Sequence, residues 1–179
     1  NSQNLSPSFF GSYLTSSERN ENASKDARTC LSELLKSQSI EIENLKIENY
    51  HHIAGRENLL VSISHCDEIS VAYLVNRDQN LNISSIGVDV EKKGRVISKD
   101  IYKYFINELD FYESELRLWC AKEAIFKAVN PLYPRCRNLS DIVVKNDKEF
   151  YIRENKTLNG SIYHLEINNL VLAFASLNC

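Results

Sequence analysis

The 179-residue chain contains no methionine and starts at Asn1. A native product begins with Met. The chain is therefore expected to be truncated or to lack residues, with spacings shorter than in the full product. No run of about 20 apolar residues is present, so no segment reads as a membrane-spanning helix. No secretory leader is visible at the N-terminus. No C-x-x-C pair suggests zinc or redox chemistry. The five cysteines (Cys30, Cys66, Cys120, Cys136 and Cys179) are odd in number and widely spaced, so reduced, mostly buried thiols in a cytoplasmic protein are expected. An excess of basic charge is missing too: net charge is −3 and the isoelectric point about 5.9. No global field draws the chain to nucleic acid or to an anionic membrane, and any phosphate site must be a local cluster.

What is present suits one compact α+β domain, or two small halves sharing a core, since 43% of residues are hydrophobic. Residues 1–21 read as irregular. Ser24 is a plausible N-cap for a helix over 25–37 whose apolar stripe is Ala27, Leu31, Leu34 and Leu35. Lys25 and Arg28 near its start are either a solvated face or a grip on a distant phosphate. Ile40, Ile42 and Ile47 give a weak strand signal over 40–48, and Gly55-Arg56-Glu57 reads as a turn. Leu59–Cys66 and Ile69–Val75 form a hairpin bent at Asp67-Glu68, with Ser62, Ser64 and Cys66 on one face and Val61, Ile63 and His65 on the other. A lone His at a strand end is ordinarily structural, yet Ser64-His65 beside a turn can also donate to an anion.

Ile83–Glu91 is the next strand. Gly87 inside it suggests close approach of another backbone or a ligand. Asp89 and Glu91 project from one face. Two carboxylates there repel and are not buried unpaired. Either they form a solvent-facing edge, or a hard cation such as Mg²⁺ joins them. Ser98 caps a short helix with Ile101, Tyr104 and Phe105, which 108–112 continues or bends. A long helix over about 113–130 ends at Pro131 and Pro134. Strands follow at 142–145, 150–153, 160–167 and 170–176. The order is helix, strands, helix, strands.

On the long helix Trp119, Glu123 and Lys127 recur at intervals of four and share a face, with Cβ atoms roughly 5–6 Å apart. Glu123 and Lys127 are either a surface ion pair or part of a site. If this helix packs near the Asp89 strand, Asp89, Glu91 and Glu123 converge on one cation, flanked by Lys122 and Lys127. Such a site wants a phosphate-bearing substrate, because metal and lysine neutralise charge on the leaving group.

The pair Ile86-Gly87-Val88-Asp89-Val90-Glu91 and Trp119-Cys120-Ala121-Lys122-Glu123-Ala124-Ile125-Phe126-Lys127 resembles the signature of the 4′-phosphopantetheinyl transferases, G-[IV]-D-x-E then W-[SC]-x-K-E-[AS]-x-x-K. Ser64-His65 resembles the family's upstream S-H motif, and Gly55-Arg56 its Gly-Lys turn. The mid-chain position of the Asp89 strand resembles the longer, surfactin-synthetase-activating type. That implies a monomeric pseudo-dimer of two similar α/β halves, each an antiparallel sheet packed on a long helix. The halves would be 1–83, with nucleotide contacts, and 84–179, with metal and catalytic motifs.

The resemblance implies transfer of 4′-phosphopantetheine from coenzyme A to a serine of an apo acyl- or peptidyl-carrier protein, releasing 3′,5′-ADP. The carrier would serve fatty-acid, polyketide or nonribosomal-peptide assembly. Asp89, Glu91 and Glu123 would hold Mg²⁺, with Mn²⁺ as a substitute. Ser64, His65, Arg56 and Arg28 would contact the nucleotide and its phosphates. Lys127 would steady the α-phosphate, Glu123 would help deprotonate the serine, and Lys122 would flank them. Glu123 follows Asp89 by 34 positions (89 to 123), short for the family, and Arg56-Glu57 stands where the family has Lys-Pro. Two alternatives remain at this point: a degenerate member that binds coenzyme A or carrier protein without turnover, and a metal-dependent nuclease.

Overall fold

A computed structural model describes residues 23–49, 51–67 and 69–179, with side chains described from Ala27 onward. The expectations for residues 1–21, and for the side chains of Ser24, Lys25 and Glu68, lie outside the described residues. The fold is α+β, with two antiparallel sheets and few helices.

Helix α1 (Ala23–Ser37) buries Ala27, Leu31, Leu34 and Leu35, the stripe its spacing predicts, and adds Cys30. Beyond it Ser39 turns left-handed at φ 58° and the Ile40 N–H returns to the Leu35 carbonyl, closing the last turn. The strand expected over 40–48 shrinks to β1 (Ile47–Glu48). Ile40, Ile42 and Leu45 instead pack as loop residues against the α1 core, so their spacing serves burial rather than pairing. The hairpin from β2 (His52–Ile53) to β3 (Arg56–Cys66) turns at Ala54-Gly55, where Gly55 takes φ 72°. Arg56 and Glu57 therefore begin a strand rather than forming the turn, with Arg56 opposite Ile53. β4 (Ile69–Asn76) pairs with β3 from Leu59↔Asn76 to Cys66↔Ile69, and Asp67 at the bend has φ 46°.

The second sheet runs β5-β9-β8-β7-β6. Its strands are β5 (Ile83–Lys92), β6 (Ile142–Val144), β7 (Glu149–Ile152), β8 (Asn155–Ile167) and β9 (Leu170–Asn178). Between β5 and β6 lie a 3-10 turn capped by Ser98, then α2 (Tyr102–Phe105) and α3 (Glu115–Val129). Ser114 caps α3, its Oγ accepting from the Arg117 N–H. The helix lies across β5 and β9. Gly87 makes that contact possible: a Cβ there would sit 1.9 Å from the Ala124 carbonyl oxygen. The expected close approach is thus to the backbone of α3.

Residues 108–112 do not continue a helix. The Asp110 carboxylate holds the loop in place, accepting from the N–H groups of Asn107 (2.7 Å) and Val144 (3.0 Å). It also pairs with Lys122 at 2.6 Å, and both side chains are wholly buried. Leu60, Val71, Tyr73 and Val75 of the first sheet share one core with Ile86, Val88, Val90, Leu172 and Phe174 of the second. Among the described residues no helix is long and apolar enough to cross a membrane.

Candidate active site at the junction of the two sheets

β5 is an edge strand of its sheet, so its outer backbone groups need partners from elsewhere. Side chains supply them. The Val88 N–H donates to Ser62 Oγ (3.0 Å), and Lys127 Nζ donates to the Val88 carbonyl (3.0 Å). Ser62 and Ser64 are both buried, although they lie on the face of β3 that reads as polar. They are buried because they bond across the junction.

One residue further along β5, Asp89 Oδ1 accepts from Ser64 Oγ (2.8 Å) and Lys127 Nζ (2.8 Å), while Lys127 also donates to Ser64 (2.9 Å). Lys127 thus forms its ion pair with Asp89 rather than with Glu123. Asp89 is 6% exposed, and its second oxygen, Oδ2, is buried without a hydrogen-bond partner. A buried carboxylate oxygen with no donor is costly and calls for a cation.

Glu91, 5% exposed, is held from two sides. Its Oε1 accepts from Trp119 Nε1 (3.1 Å) and from an Arg95 guanidinium nitrogen. Arg95 also lies over the Trp119 ring, 5.3 Å from its centroid. Glu123, between Trp119 and Lys127 on α3, has its carboxyl pushed above the usual range. Burial is the main cause and the Asp89 charge the next, opposed by Lys127; Glu91 raises it further. The four-residue spacing therefore carries through: Trp119, Glu123 and Lys127 all meet the charges of β5.

Among the described residues no group of three or more His, Cys, Asp and Glu side chains stands at metal-binding spacing. Arg95 and Lys127 occupy the Glu91 and Asp89 carboxylates. The donor chemistry nonetheless suits a hard divalent ion. Glu123 senses the charges of Asp89 and Glu91, and one Asp89 oxygen is unpartnered.

The other sequence-derived positions divide. His65 is exposed on the rim of a cleft of about 540 Å³ lined also by Cys66, Glu91, Lys92, Gly94 and Arg95. Arg28 and Arg56 are exposed, and among the described residues no hydrogen bond or ion pair joins them to the acidic cluster. Lys122 is not brought to the cluster. Its Nζ donates to the carbonyls of Phe105 (2.6 Å) and Ile142 (2.8 Å) and to Asp110, on the far side of α3's core. Burial lowers its pKa, with Asp110 opposing the shift. Neighbouring positions on a helix point about 100° apart, which explains why Lys122 and Glu123 part company.

Arg95 and the Trp119–Glu91 bond are absent from the sequence reading. Arg95 falls in the basic turn Lys92-Lys93-Gly94-Arg95, to which the sequence assigns no role. The one available signal is its place four residues after Glu91, just beyond the end of the strand.

No curated protein matches the chain. A family model described as the 4′-phosphopantetheinyl transferase superfamily matches residues 85–175, just over half of the chain. The matched span runs from β5 through α3 to β9 and contains Asp89, Glu91, Glu123 and Lys127. The chain belongs to the 4′-phosphopantetheinyl transferase superfamily.

Proposed function

We propose that the chain transfers the 4′-phosphopantetheine group of coenzyme A to a serine hydroxyl of an apo acyl- or peptidyl-carrier protein, as a single-chain, two-half member of the superfamily of the surfactin-synthetase-activating type. Residues 1–83 form the half that meets the nucleotide, and 84–179 the half that carries the chemistry. The observation that carries this reading is the junction cluster. Carboxylates of β5 and α3 gather beside Lys127, and Asp89 keeps one buried oxygen unpaired. The core common to both sheets supports a monomer that supplies both walls of its own cleft.

Asp89, Glu91 and Glu123 would hold Mg²⁺ or Mn²⁺. Bound there, the ion supplies positive charge against the pyrophosphate oxygens. Lys127, fixed by Asp89, Ser64 and the Val88 carbonyl, presents its ammonium to the α-phosphate. The exposed His65 donates to phosphate oxygens at the cleft rim, and Arg56 and Arg28 reach the nucleotide; Ser64, whose hydroxyl proton goes to Asp89, serves the phosphates through Asp89 and Lys127. Glu123, whose proton affinity burial has raised, takes the proton of the attacking serine. The serine oxygen forms a bond to the β-phosphorus. The bond from that phosphorus to the bridging oxygen breaks, and its electron pair leaves with 3′,5′-ADP. Lys122 acts at a distance by holding the Asp110 loop against α3.

Incubation with apo-carrier protein, coenzyme A and Mg²⁺ tests the reading by mass spectrometry. The carrier should gain one phosphopantetheine. EDTA should stop the gain, and Mg²⁺ or Mn²⁺ should restore it. An unmodified carrier, or a rate indifferent to EDTA, would overturn the reading.

A further inference from the structure

The basic turn after β5 contributes a group for which the transfer chemistry has no assigned role. Arg95 Nη1 and Trp119 Nε1 share one oxygen of Glu91, and the guanidinium lies over the indole. Two of the three acidic side chains are therefore neutralised by protein cations, Asp89 by Lys127 and Glu91 by Arg95. The two cations are held differently. Lys127 has three partners, one of them a backbone carbonyl. The Arg95 side chain is 44% exposed against 7% for Glu91, and it hangs from a turn closed by its own N–H to the Lys92 carbonyl. The neighbouring Gly94 has open space around it, and the cleft of about 540 Å³ opens alongside.

We propose that Arg95 is the resident counter-ion of Glu91, which a divalent cation must displace to enter, so that cation binding and release of the guanidinium into the cleft are one exchange. This rests on the reading of Asp89, Glu91 and Glu123 as the cation's ligands. Glu91 Oε1 already takes two donors, so a cation that takes this oxygen must displace the guanidinium, because like charges so close repel strongly. The orphaned Asp89 Oδ2 offers the ion an open ligand, whereas Glu91 Oε1 is taken by Arg95. Once released into the cleft, the guanidinium is placed to meet phosphate oxygens, which a planar fork of donors binds well. Arg95 is thus a positioning residue that couples the metal site to the phosphate site.

The test uses Mn²⁺ alone, without coenzyme A, titrated into the whole chain and read by loss of the free-ion EPR signal. Arg95→Gln, which keeps bulk and loses charge, should bind Mn²⁺ about tenfold more tightly than wild type, as expected for removing a competing unit charge. Arg95→Lys, which keeps the charge, should stay near wild type. Trp119 is the only tryptophan, so its emission reports the exchange directly. Mg²⁺ should shift that emission in wild type, and most of the shift should vanish in Arg95→Gln. Equal or weaker Mn²⁺ binding by Arg95→Gln would overturn the exchange and leave the metal site standing. No Mn²⁺ binding by either protein would overturn both.

Discussion

The two sheets bring different things to the junction. The second sheet, with α3, supplies every carboxylate of the cluster, the Lys127 ammonium and the Trp119 indole, each with a defined partner or electrostatic neighbour. The first sheet supplies two buried serines as bonds and His65 as a rim group, while Arg28 and Arg56 stand exposed. The cluster is built on the larger sheet. The smaller one lends it two serine hydroxyls and leaves the arginines in solvent. The contrast can be tested residue by residue.

The largest effect is expected at Glu123. Glu123→Gln should lower transfer by about 10²–10⁴-fold, the usual range for a positioned base, measured as holo-carrier formed per minute. Its carboxyl has a folded-state pKa raised above the ordinary value, mainly by burial. The ionised form therefore costs stability in the metal-free protein above that pKa, and the cost is relieved as pH falls through it. Glu123→Gln should accordingly melt higher than wild type near neutral pH without metal, with the gap closing in acid. A lower Tm at neutral pH would contradict this electrostatic account.

Lys122 is next. Lys122→Ala leaves Asp110 buried without its ion pair and should cost about 3–5 kcal/mol in urea unfolding. Any activity loss should follow the folded fraction. Lost activity in a protein of normal stability would return Lys122 to the reacting groups.

On the first sheet and the α1 helix packed against it, Arg56→Ala and Arg28→Ala should leave Tm unchanged, since both side chains are exposed. Each should raise KM for coenzyme A severalfold without changing kcat, the signature of ground-state binding. An unchanged KM would remove both arginines from the site.

The smallest effect is at Cys66 on the cleft wall. Its thiol is pushed up to about 11, chiefly by burial and then by the Glu91 and Asp67 charges. Near pH 8 it stays protonated and should alkylate slowly, speeding up as the pH approaches 11, because only the thiolate attacks. Fast labelling at pH 8, followed by peptide mass mapping, would show a more open junction than the one described.

How much of this was legible in the sequence follows the same division. The α1 stripe, the β3–β4 hairpin, the Gly87 approach, α3 and the four closing strands all announce themselves, because period and punctuation agree there. The loop over 40–46 misleads: isoleucines spaced near two pack on a helix without pairing. Lys122 misleads more instructively. It lies inside the motif, next to Glu123, yet its ammonium points into the core toward Asp110, twelve residues earlier in the chain. Nothing local in the sequence announces that pairing. Arg95 is illegible for the opposite reason: it sits in a basic turn, and nothing in the sequence marks the indole and the carboxylate beside it.

The seam between β3 and β5 has one further consequence. The strands belong to separate sheets and meet through Ser62, Ser64 and a common apolar core rather than through a ladder. The link between them, 77–82, carries Leu81 at 78% exposure. A cut there would sever the chain without unzipping either ladder. The pieces could then find each other again as two separate polypeptides, and phosphopantetheine transfer would report their reunion.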